Sequence, residues 1–583
     1  MNDQIIKRVF SRTLTIQILT ALTAVLGVFV DGAVTGGCLG ETAMASYGIA
    51  LPLTTIFAGI ASVFSTGISV LCGKTISTGD RQGANRILSQ GMIAAAALGL
   101  CLLVIGFLGA EQLAALLGAK GELLNGAMDY IRGLVLCVPA LIVMVALMPI
   151  MQIDGDRNRA LRAIVCTTLI NIVLDLTNGF VLHRGLFVMA IATTISYYTG
   201  AFVLLLHFRN PSAMFHLSPV FPRLNVVRDI ISYGFPDAMQ QISRSALNIS
   251  LNRILLVVSG AGSVSAFSAI YSASTLCMSL GTGIGESVSV INGVLSGEKD
   301  VQSIKNLLKT ALKTTLASNA ALSAVMFLAS PIAMRLFLSP ETDAFALAVQ
   351  GFRFYSLSII VYGINVVWRA YYQSMHLVRL AYPYVIVNNF LSVALSALLL
   401  GSFFGANGVF LSFLVGETLT LVIFAAGNFA NSSGMAGFNR MMRISNDFTE
   451  GIISIRSWSC ANLNEIEAVS AAIGEFCREE GARPRTSFVL SLAAEEFCVN
   501  IYQYGFIDKK IHSIDVRVLR LQDGWMIRIR DDCELFDPVR YVQMHDESAL
   551  DAHIGIRMMK KLVRRIEYVS ALKMNNLLIV TEP

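Results

Sequence analysis

The stretch VLGVFVDGAVTGG, residues 25–37, places a single acidic residue, Asp31, inside an apolar segment that runs from Leu14 to Val34. A carboxylate at membrane depth is costly, so it is retained mainly where it pairs, binds a ligand or carries a proton or a cation. The alternative is a carboxylate near a helix end that reaches interfacial water. Asp31 is therefore the first candidate functional residue of the chain.

The composition separates a membrane part from a soluble part. Of the 583 residues, 55% are apolar and 14% are charged, and the mean hydropathy is +0.64. Residues 1–439 carry 25 Lys and Arg and 18 Asp and Glu, whereas the much shorter segment 440–583 carries 19 and 21. This contrast predicts a polytopic membrane domain followed by a soluble domain.

The membrane part contains twelve stretches long enough to cross a bilayer as helices. They are residues 13–35, 44–72, 87–109, 131–151, 161–182, 186–207, 229–258, 264–295, 308–330, 347–371, 380–401 and 406–429. Lys and Arg concentrate in alternate loops and near both ends of the chain, as in Lys74, Arg81 and Arg86 after the second stretch. By the positive-inside rule, both termini are expected in the cytoplasm.

The membrane part also shows a candidate internal repeat, with chance similarity between helices rich in small residues as the alternative. The segment SVLCGKTISTGD from Ser69 is similar to SVINGVLSGEKD from Ser289, with matching residues 220 positions apart. An even number of spans separates the two, so two six-helix halves with the same orientation are predicted. Substrate sites in such proteins tend to lie between the halves.

Two predicted spans carry polar residues on one helical face. In span 5 these are Thr168, Asn171, Asp175 and Asn178, and in span 7 they are Asp237, Gln241, Arg244, Asn248 and Asn252. Steps of three and four residues align them on one side of a helix, and such a stripe is expected to face a cavity or another helix rather than lipid. For span 7, an ion-pair network of Arg244 with Asp237 or Glu286 and a transport role remain alternatives. Glu417 in span 12 is a further intramembrane carboxylate.

Asp31 and Asp175 differ from the other intramembrane acids because no cationic residue lies near them in the sequence. A desolvated carboxylate without a fixed counter-charge can load and release a proton, which is the physical requirement for proton coupling.

These residues resemble the multidrug and toxic compound extrusion (MATE) transporters over about residues 10–430. The resemblance rests on VDGAVTGGCLGETAMASYGIALPL from Val30, GISVLCGKTISTGDRQGANRILSQG from Gly67, NIVLDLTNGF in span 5, MAIATTIS in span 6 and ISYGFPDAMQQ at the start of span 7. It implies an all-α fold of twelve helices in two six-helix bundles, a central cleft, and cation-coupled export from a bacterial inner membrane.

The resemblance also implies site residues. Asp31, Asn171, Asp175 and Thr193 correspond to the family's proton or sodium site, and Asp237, Gln241, Arg244, Asn248 and Glu286 are expected to line the substrate cavity. Leu176 replaces a common proline, and Glu286 replaces a common glutamine. The wider superfamily includes lipid-linked saccharide flippases with cationic cavities, and Arg244 keeps that alternative open.

From about residue 450 the pattern changes to that of a soluble α/β domain. Amphipathic helices are predicted over 464–481 and 487–505, alternating strands over 514–521 and 525–532, a helix over 553–570 and a strand over 576–582. This order resembles the histidine-kinase-like ATP-binding fold, an α/β sandwich, and most closely the anti-sigma-factor serine kinases.

In that resemblance Glu496 polarises the attacking hydroxyl or water, Asn500 binds magnesium, Asp531 binds adenine, and Gly555 belongs to the phosphate turn. The tail departs from the family because Cys533 replaces a motif glycine and AHIGI, residues 552–556, replaces a glycine-rich turn. Glycines there let backbone N–H groups approach phosphate. ATP with magnesium as a ligand and a degenerate protein-interaction module therefore both remain open.

The predicted organisation is a first lobe over 1–209, a linker over 210–228, a second lobe over 229–438, a linker over 439–450 and the ATPase-like domain over 451–583. The leading hypothesis is a proton- or sodium-coupled antiporter, not an enzyme in its membrane part, that exports organic, cationic or amphipathic compounds. The alternatives are a membrane receptor with a kinase-like output domain and a saccharide flippase. The expected partners are lipid, a small-molecule substrate and a regulatory protein at the tail, and the chain contains no nucleic-acid motif.

Overall fold

A computed structural model describes the protein from residue 3 to residue 582, apart from short internal segments. The segments outside the description are residues 40, 78–80, 155, 211–212, 219, 339, 376, 431–437, 445–447, 449, 507–511, 535, 539–553 and 572–573.

The regular secondary structure described in the membrane part consists of helices. Its helices are α1 (Asp3–Cys38), α2 (Glu41–Ser77), α3 (Arg81–Leu108), α4 (Ala110–Leu116), α5 (Glu122–Val135), α6 (Val138–Ile153), α7 (Arg157–Thr177), α8 (Gly185–Leu205), α9 (Leu224–Ser259), α10 (Ala261–Gly297), α11 (Val301–Arg335), α12 (Asp343–Ser374), α13 (Val378–Ile386) and α14 (Ser392–Ala430). Each of the twelve predicted spans coincides with one of these helices or with an adjoining pair.

Two helix breaks explain how the elements correspond to spans. Helices α5 and α6 are bent by 48° at their junction, just before Pro139, and together form one predicted span. Helix α14 is broken at Gly405, whose φ of 62° lies in the left-handed region that favours glycine, so it contains the last span and the final part of the one before it. Among the described helices, eight are long and apolar enough to cross a membrane, or nine with the bent pair counted.

The chain divides into two compact units. The membrane unit consists of Thr15–Glu286 and Leu312–Gly427, and the tail unit consists of Met1–Leu14, Ser287–Ala311 and Asn428–Pro583.

In the membrane unit, glycines allow α2 and α9 to pack with their backbones in contact. A Cβ on Gly67 would overlap the carbonyl of Ile230, and a Cβ on Gly234 would overlap the carbonyl of Val63. Small residues at such a crossing let the two backbones approach closely, and the resulting van der Waals contacts stabilise helix pairs in lipid. These two helices belong to different halves of the repeat, so the glycines fix a contact between the halves.

A buried histidine links the segment that follows α8 to the loop before α7. The side chain of His207 contacts Asp154 Oδ2 through Nε2 at 2.6 Å and Asp156 Oδ2 through Nδ1 at 2.9 Å. Asp154 also accepts hydrogen bonds from the backbone N–H groups of Met214 and Phe215. Both ring nitrogens face carboxylates, so this one side chain contacts both acids. This cluster holds the loop before α7 against the start of the linker between the two halves.

We expect His207→Gln to lower the thermal unfolding midpoint of the purified protein by several degrees. The glutamine amide can serve one carboxylate but leaves the other without its partner, and breaking a buried ionic contact costs about 3 kcal/mol. The measurement is a thermal scan in detergent beside His216→Gln, a half-buried histidine of the same linker. Equal midpoints for the two variants would contradict the assigned role of His207.

The tail unit contains one antiparallel sheet with helices on one face. Its elements are α15 (Phe438–Met442), β1 (Ile452–Cys460), α16 (Leu463–Glu479), α17 (Pro484–Gly505), β2 (Ile514–Leu521), β3 (Gly524–Asp531), α18 (Ile554–Leu562), β4 (Arg565–Ala571) and β5 (Met574–Thr581). The strand order is β1-β2-β3-β5-β4. Alternate apolar residues, among them Val516, Ile527 and Ile579, form the core with α16 and α17.

The structure corrects the sequence prediction for the tail at two places. The predicted helix over 553–570 ends at Leu562, and its second part is strand β4, because IEYVS alternates and pairs with β5 along its length. Strand β1, which was not predicted, pairs with β2. Its sequence IISIRSWSC alternates apolar and polar residues, but several of its apolar residues are only half covered.

Candidate functional site

Three of the four residues predicted for cation coupling come together between α1 and α7. Asp31, Asn171 and Asp175 are all buried, with exposed fractions of 8%, 7% and 0%. The Asn171 amide donates to Asp175 Oδ2 at 2.9 Å, and the side chain of Asp31 lies within hydrogen-bonding reach of both Asp175 and Asn171. One oxygen of each carboxyl group has no hydrogen-bond partner among the described residues. This pair of acids can therefore hold a proton or a small cation.

Glycine and two tyrosines shape the surroundings of the acid pair. A Cβ on Gly27 would lie 3.0 Å from the side-chain oxygen of Asn171, so the glycine allows α1 to approach α7 closely. Tyr47 and Tyr130 are buried, pack edge to face with ring centroids 5.2 Å apart, and lie within electrostatic range of Asp31. The acids therefore lie in a buried site lined by Asn171, the two tyrosines and the backbone of α1 at Gly27.

The fourth predicted coupling residue does not join this cluster through its hydroxyl. Thr193 is half-buried in α8, and its hydroxyl donates to the carbonyl of Met189 in the same helix. The structure places the neighbouring Thr194 in a contact between helices, because its hydroxyl donates to the carbonyl of Gly133 at 2.9 Å.

The residues predicted for the substrate cavity lie on α9 and near the end of α10. Gln241, Arg244 and Asn248 are half-buried, and Glu286 is exposed on α10. Asp237 lies in α9, but its side chain is outside the described part of the structure. Arg244 and Glu286 both lie within electrostatic range of a buried arginine of α12, Arg369.

A second buried acid cluster lies in the other half of the repeat, around Glu417. Its Oε2 accepts hydrogen bonds from the amides of Asn365 at 2.5 Å and Asn388 at 2.8 Å. The hydroxyl of Tyr384 donates to the Asn365 side-chain oxygen at 2.7 Å. Arg369 is 6% exposed, lies within electrostatic range of Glu417, and has one terminal nitrogen without a hydrogen-bond partner. The cluster therefore combines a buried carboxylate with a buried guanidinium.

Sequence reasoning identified Glu417 but missed its partners. Arg369 interrupts the apolar run NVVWRAYY in span 10, which is the same signal that identified Asp31. Asn388 lies in a π-helical turn, Val387–Leu391, and a similar turn, Asn178–Leu182, follows α7 in the first half. The two turns differ in their contacts, because Asn388 donates to Glu417 whereas Asn178 donates to the carbonyl of Gly185.

In the tail, the predicted nucleotide residues occupy one helix and the end of one strand. Glu496 and Asn500 are half-buried and lie one turn apart on α17. Asp531 ends β3 and is buried, and its Oδ1 accepts hydrogen bonds from the Cys533 N–H at 3.0 Å and from the Asn575 amide at 2.7 Å. Burial raises the pKa of Asp531, although both hydrogen bonds oppose that shift. The roles of Asp531 in binding adenine and of Asn500 in binding magnesium remain predictions from the sequence.

Cys533, which follows β3, packs against the end of α17. A Cβ on Gly505, the last residue of α17, would lie 2.9 Å from the Cys533 sulfur, so the cysteine fills the space beside that helix end. Gly555 lies in the first turn of α18, but its surroundings and residues 541–552 are outside the described residues. The predicted phosphate turn is therefore not described.

Comparisons with known proteins give a family match for each of the two parts of the chain. The MatE family model matches residues 17–177 and 236–398, which together make up more than half of the chain. The two matches lie in the two halves of the membrane part and confirm the internal repeat. The model of the histidine kinase-like ATPase domain matches residues 460–581.

The chain is similar to the multidrug export protein MepA of Staphylococcus saprophyticus, with 24% identity over 222 residues, which are 38% of this chain and 49% of that protein. A MepA of Staphylococcus aureus is 22% identical over 36% of this chain and 46% of its own length. The chain thus spans about half the length of the curated relatives it matches.

Among solved structures, an inward-facing multidrug resistance MATE family transporter has a TM-score of 0.64 and 21% identity, over 70% of this chain and 94% of its own. A MOP superfamily transporter from Pyrococcus furiosus, described as having a binding pocket of reverse polarity, has a TM-score of 0.64 and 21% identity over 73% of this chain and 96% of its own. At this identity the likeness shows the fold alone, which is the predicted fold of twelve helices.

Proposed function

Because the chain belongs to the MatE family of membrane transporters and ends in a histidine kinase-like ATPase domain, we propose that it is a secondary active exporter of organic compounds whose tail regulates transport. The observation that carries the proposal is the buried pair Asp31 and Asp175 with Asn171 between α1 and α7. The proposed location is the inner membrane of a bacterium, with both termini in the cytoplasm.

The acid pair supports coupling to a cation. Two buried carboxyl groups within hydrogen-bonding reach of each other are not stable when both are ionised, so one of them holds a proton or a cation binds between them. A bound proton or sodium ion would hold α1 against α7, and its release would leave two negative charges that repel each other. Cation binding and helix separation are therefore linked, which is what an antiporter requires.

The test is efflux from liposomes that contain the full chain and a fluorescent cationic dye such as ethidium. We expect an imposed proton gradient or sodium gradient to drive dye out of the vesicles above the rate of protein-free vesicles. Equal rates with and without protein under both gradients would overturn the exporter proposal.

A second candidate function, a flippase for lipid-linked saccharides, is favoured by one observation. Arg244 and the buried Arg369 lie within electrostatic range of each other, and two guanidinium groups suit an anionic headgroup better than a cationic drug. Under this alternative, the wild-type protein would translocate an anionic fluorescent lipid and Arg244→Gln would abolish that activity. Vesicles with the wild-type protein would release ethidium no faster than protein-free vesicles.

For the tail, we propose that Asp531 binds the adenine of a nucleotide and that Asn500 holds its magnesium ion. We expect Asp531→Asn to weaken binding of a fluorescent ATP analogue by the full-length protein by about tenfold or more, because a hydrogen bond to a buried charged group is lost. The control is Asp523→Asn, an exposed acid in the turn between β2 and β3. Wild-type affinity in Asp531→Asn would contradict the assignment.

A further inference from the structure

The outer face of the tail sheet is charged but buried. Alternate residues of β2, β3 and β5 turn away from the helices, and they include Asp515, Arg517, Arg528, Arg530 and Asn576. A face of this kind is usually solvated, yet the side chain of Arg530 is 1% exposed and that of Arg517 is 5% exposed. Residues of the turn between α10 and α11, 298–300, contact this face and lie in the same compact unit.

The α10–α11 turn pairs its acids with these arginines. Glu298 forms an ion pair with Arg530, approaches Arg528 at 3.5 Å and accepts a hydrogen bond from the Asn576 amide at 2.8 Å. Asp300 Oδ2 contacts Arg517 Nη1 at 2.7 Å and Arg530 at 3.5 Å.

Charge balance requires this contact. Arg517 and Arg528 are directly opposite each other on neighbouring strands, and like charges in such a pair are destabilising. On β2, β3 and β5 this face carries three arginines and one acid, Asp515, and the two acids of the turn balance the remaining positive charge. Burial by itself would raise the pKa of Asp300, but nearby positive charges, Arg517 and Arg530 among them, hold it well below its ordinary value.

The turn is held in a defined shape where it meets the sheet. Asp300 caps α11 by accepting hydrogen bonds from the Ser303 N–H at 3.0 Å and the Ser303 hydroxyl at 2.7 Å. Lys299 has a φ of 54°, and its ammonium group donates to the carbonyl of Glu450 at 3.0 Å. A fixed acidic turn therefore meets a preformed basic face.

A second ion pair joins the tail to the first helix of the chain. Arg8, in α1, lies 2.7 Å from Asp532, whose other oxygen contacts His512 at 3.2 Å. Asp532 and Arg530 flank Asp531, the residue proposed to bind adenine. The two contacts with the transporter helices are therefore made by the residues on either side of Asp531 in the chain, and Arg530 lies on the face of the sheet opposite to Asp531.

We propose that the tail domain is a clamp that binds the α10–α11 turn through its arginine face and α1 through Asp532, and that this clamp restrains transport. The inference rests on the proposed function, in which the two halves of the transporter alternate. Helix α1 belongs to the first half, and α10 and α11 belong to the second. Alternating access moves the halves against each other, so one rigid domain bound to both restrains that movement.

The test is hydrogen exchange of full-length protein in detergent, with charge reversal of the Glu298–Arg530 pair. We expect Glu298→Arg and Arg530→Glu to increase exchange about tenfold over 298–311 and 514–531, since each leaves buried charges unpaired. The double variant Glu298→Arg with Arg530→Glu restores the opposite charges and is expected to recover at least part of the protection.

The matched control is Arg456→Gln, which breaks an exposed ion pair with Glu479 in the same domain and is expected to leave both segments unchanged. Asp532→Asn, a milder change, is expected to increase exchange over residues 3–14. Wild-type exchange in all three clamp variants, or a double variant that exchanges faster than either single one, would overturn the clamp.

Dye efflux separates the clamp from the proposed function. If the protein exports ethidium, Glu298→Arg is expected to raise the initial rate several-fold, because the restraint on the halves is released, and an unchanged rate would overturn the restraint on transport. If wild-type vesicles export no dye under either gradient, the proposed export fails, whereas the exchange comparison still decides whether the tail holds the turn.

Discussion

Asp175→Asn is expected to abolish gradient-driven dye efflux, to the rate of vesicles without protein. The asparagine has the size of the aspartate and can still form hydrogen bonds with Asn171 and Asp31, so the contact between α1 and α7 is kept. What it removes is the second negative charge, and with it the repulsion that would separate the helices when the cation leaves. The substitution is therefore expected to impair coupling but not folding.

The control for this prediction is Asp129→Asn, an exposed acid on α5 that lies outside the acid pair. Both variants are expected to be produced and to unfold at the temperature of the wild type within a few degrees. Gradient-driven efflux at the wild-type rate in Asp175→Asn would contradict the role of the acid pair.

The second large effect is expected at Glu417. Replacing it with leucine removes the acceptor of the Asn365 and Asn388 amides and leaves Arg369 without a buried counter-charge. Removing one partner from a buried ionic cluster costs about 3–5 kcal/mol. We therefore expect a large fall in the thermal unfolding midpoint of Glu417→Leu.

Two further variants make the comparison specific. Glu417→Gln keeps an acceptor for one of the amides and is expected to lie between the wild type and Glu417→Leu. Glu341→Gln changes an exposed acid in a loop and is expected to unfold with the wild type. If the thermal unfolding midpoint of Glu417→Leu equals that of the wild type, the cluster does not stabilise this half of the transporter.

The sequence predicted the helices well because long apolar stretches are a strong signal. The repeat around Ser69 and Ser289, and the step of four residues between Asn171 and Asp175, depend on spacing alone and could also be predicted. Spacing alone does not predict the contact of Asp31 with Asp175, because α1 and α7 are far apart in the chain and their approach depends on Gly27. No local pattern states which helices become neighbours.

The tail shows a different limit of sequence reasoning. Strand β4 was predicted as a helix because residues 553–570 have no turn signal between α18 and the strand. The arginines of β2 and β3 alternate regularly and indicate a polar face, which would ordinarily lie in water. Their burial follows from Glu298 and Asp300, which lie more than 200 residues earlier in the chain. A long-range ion pair of this kind leaves no trace in the local pattern.

The most direct test of the central claim is to measure cation entry and dye exit together, in the same vesicles, for the wild type and Asp31→Asn. We predict that one of the two ions, proton or sodium, enters the wild-type vesicles as ethidium leaves, and that the variant moves neither ion nor dye although it still binds the dye. Gradient-driven efflux that persists in Asp31→Asn, or wild-type efflux that moves neither ion, would contradict cation coupling at the acid pair.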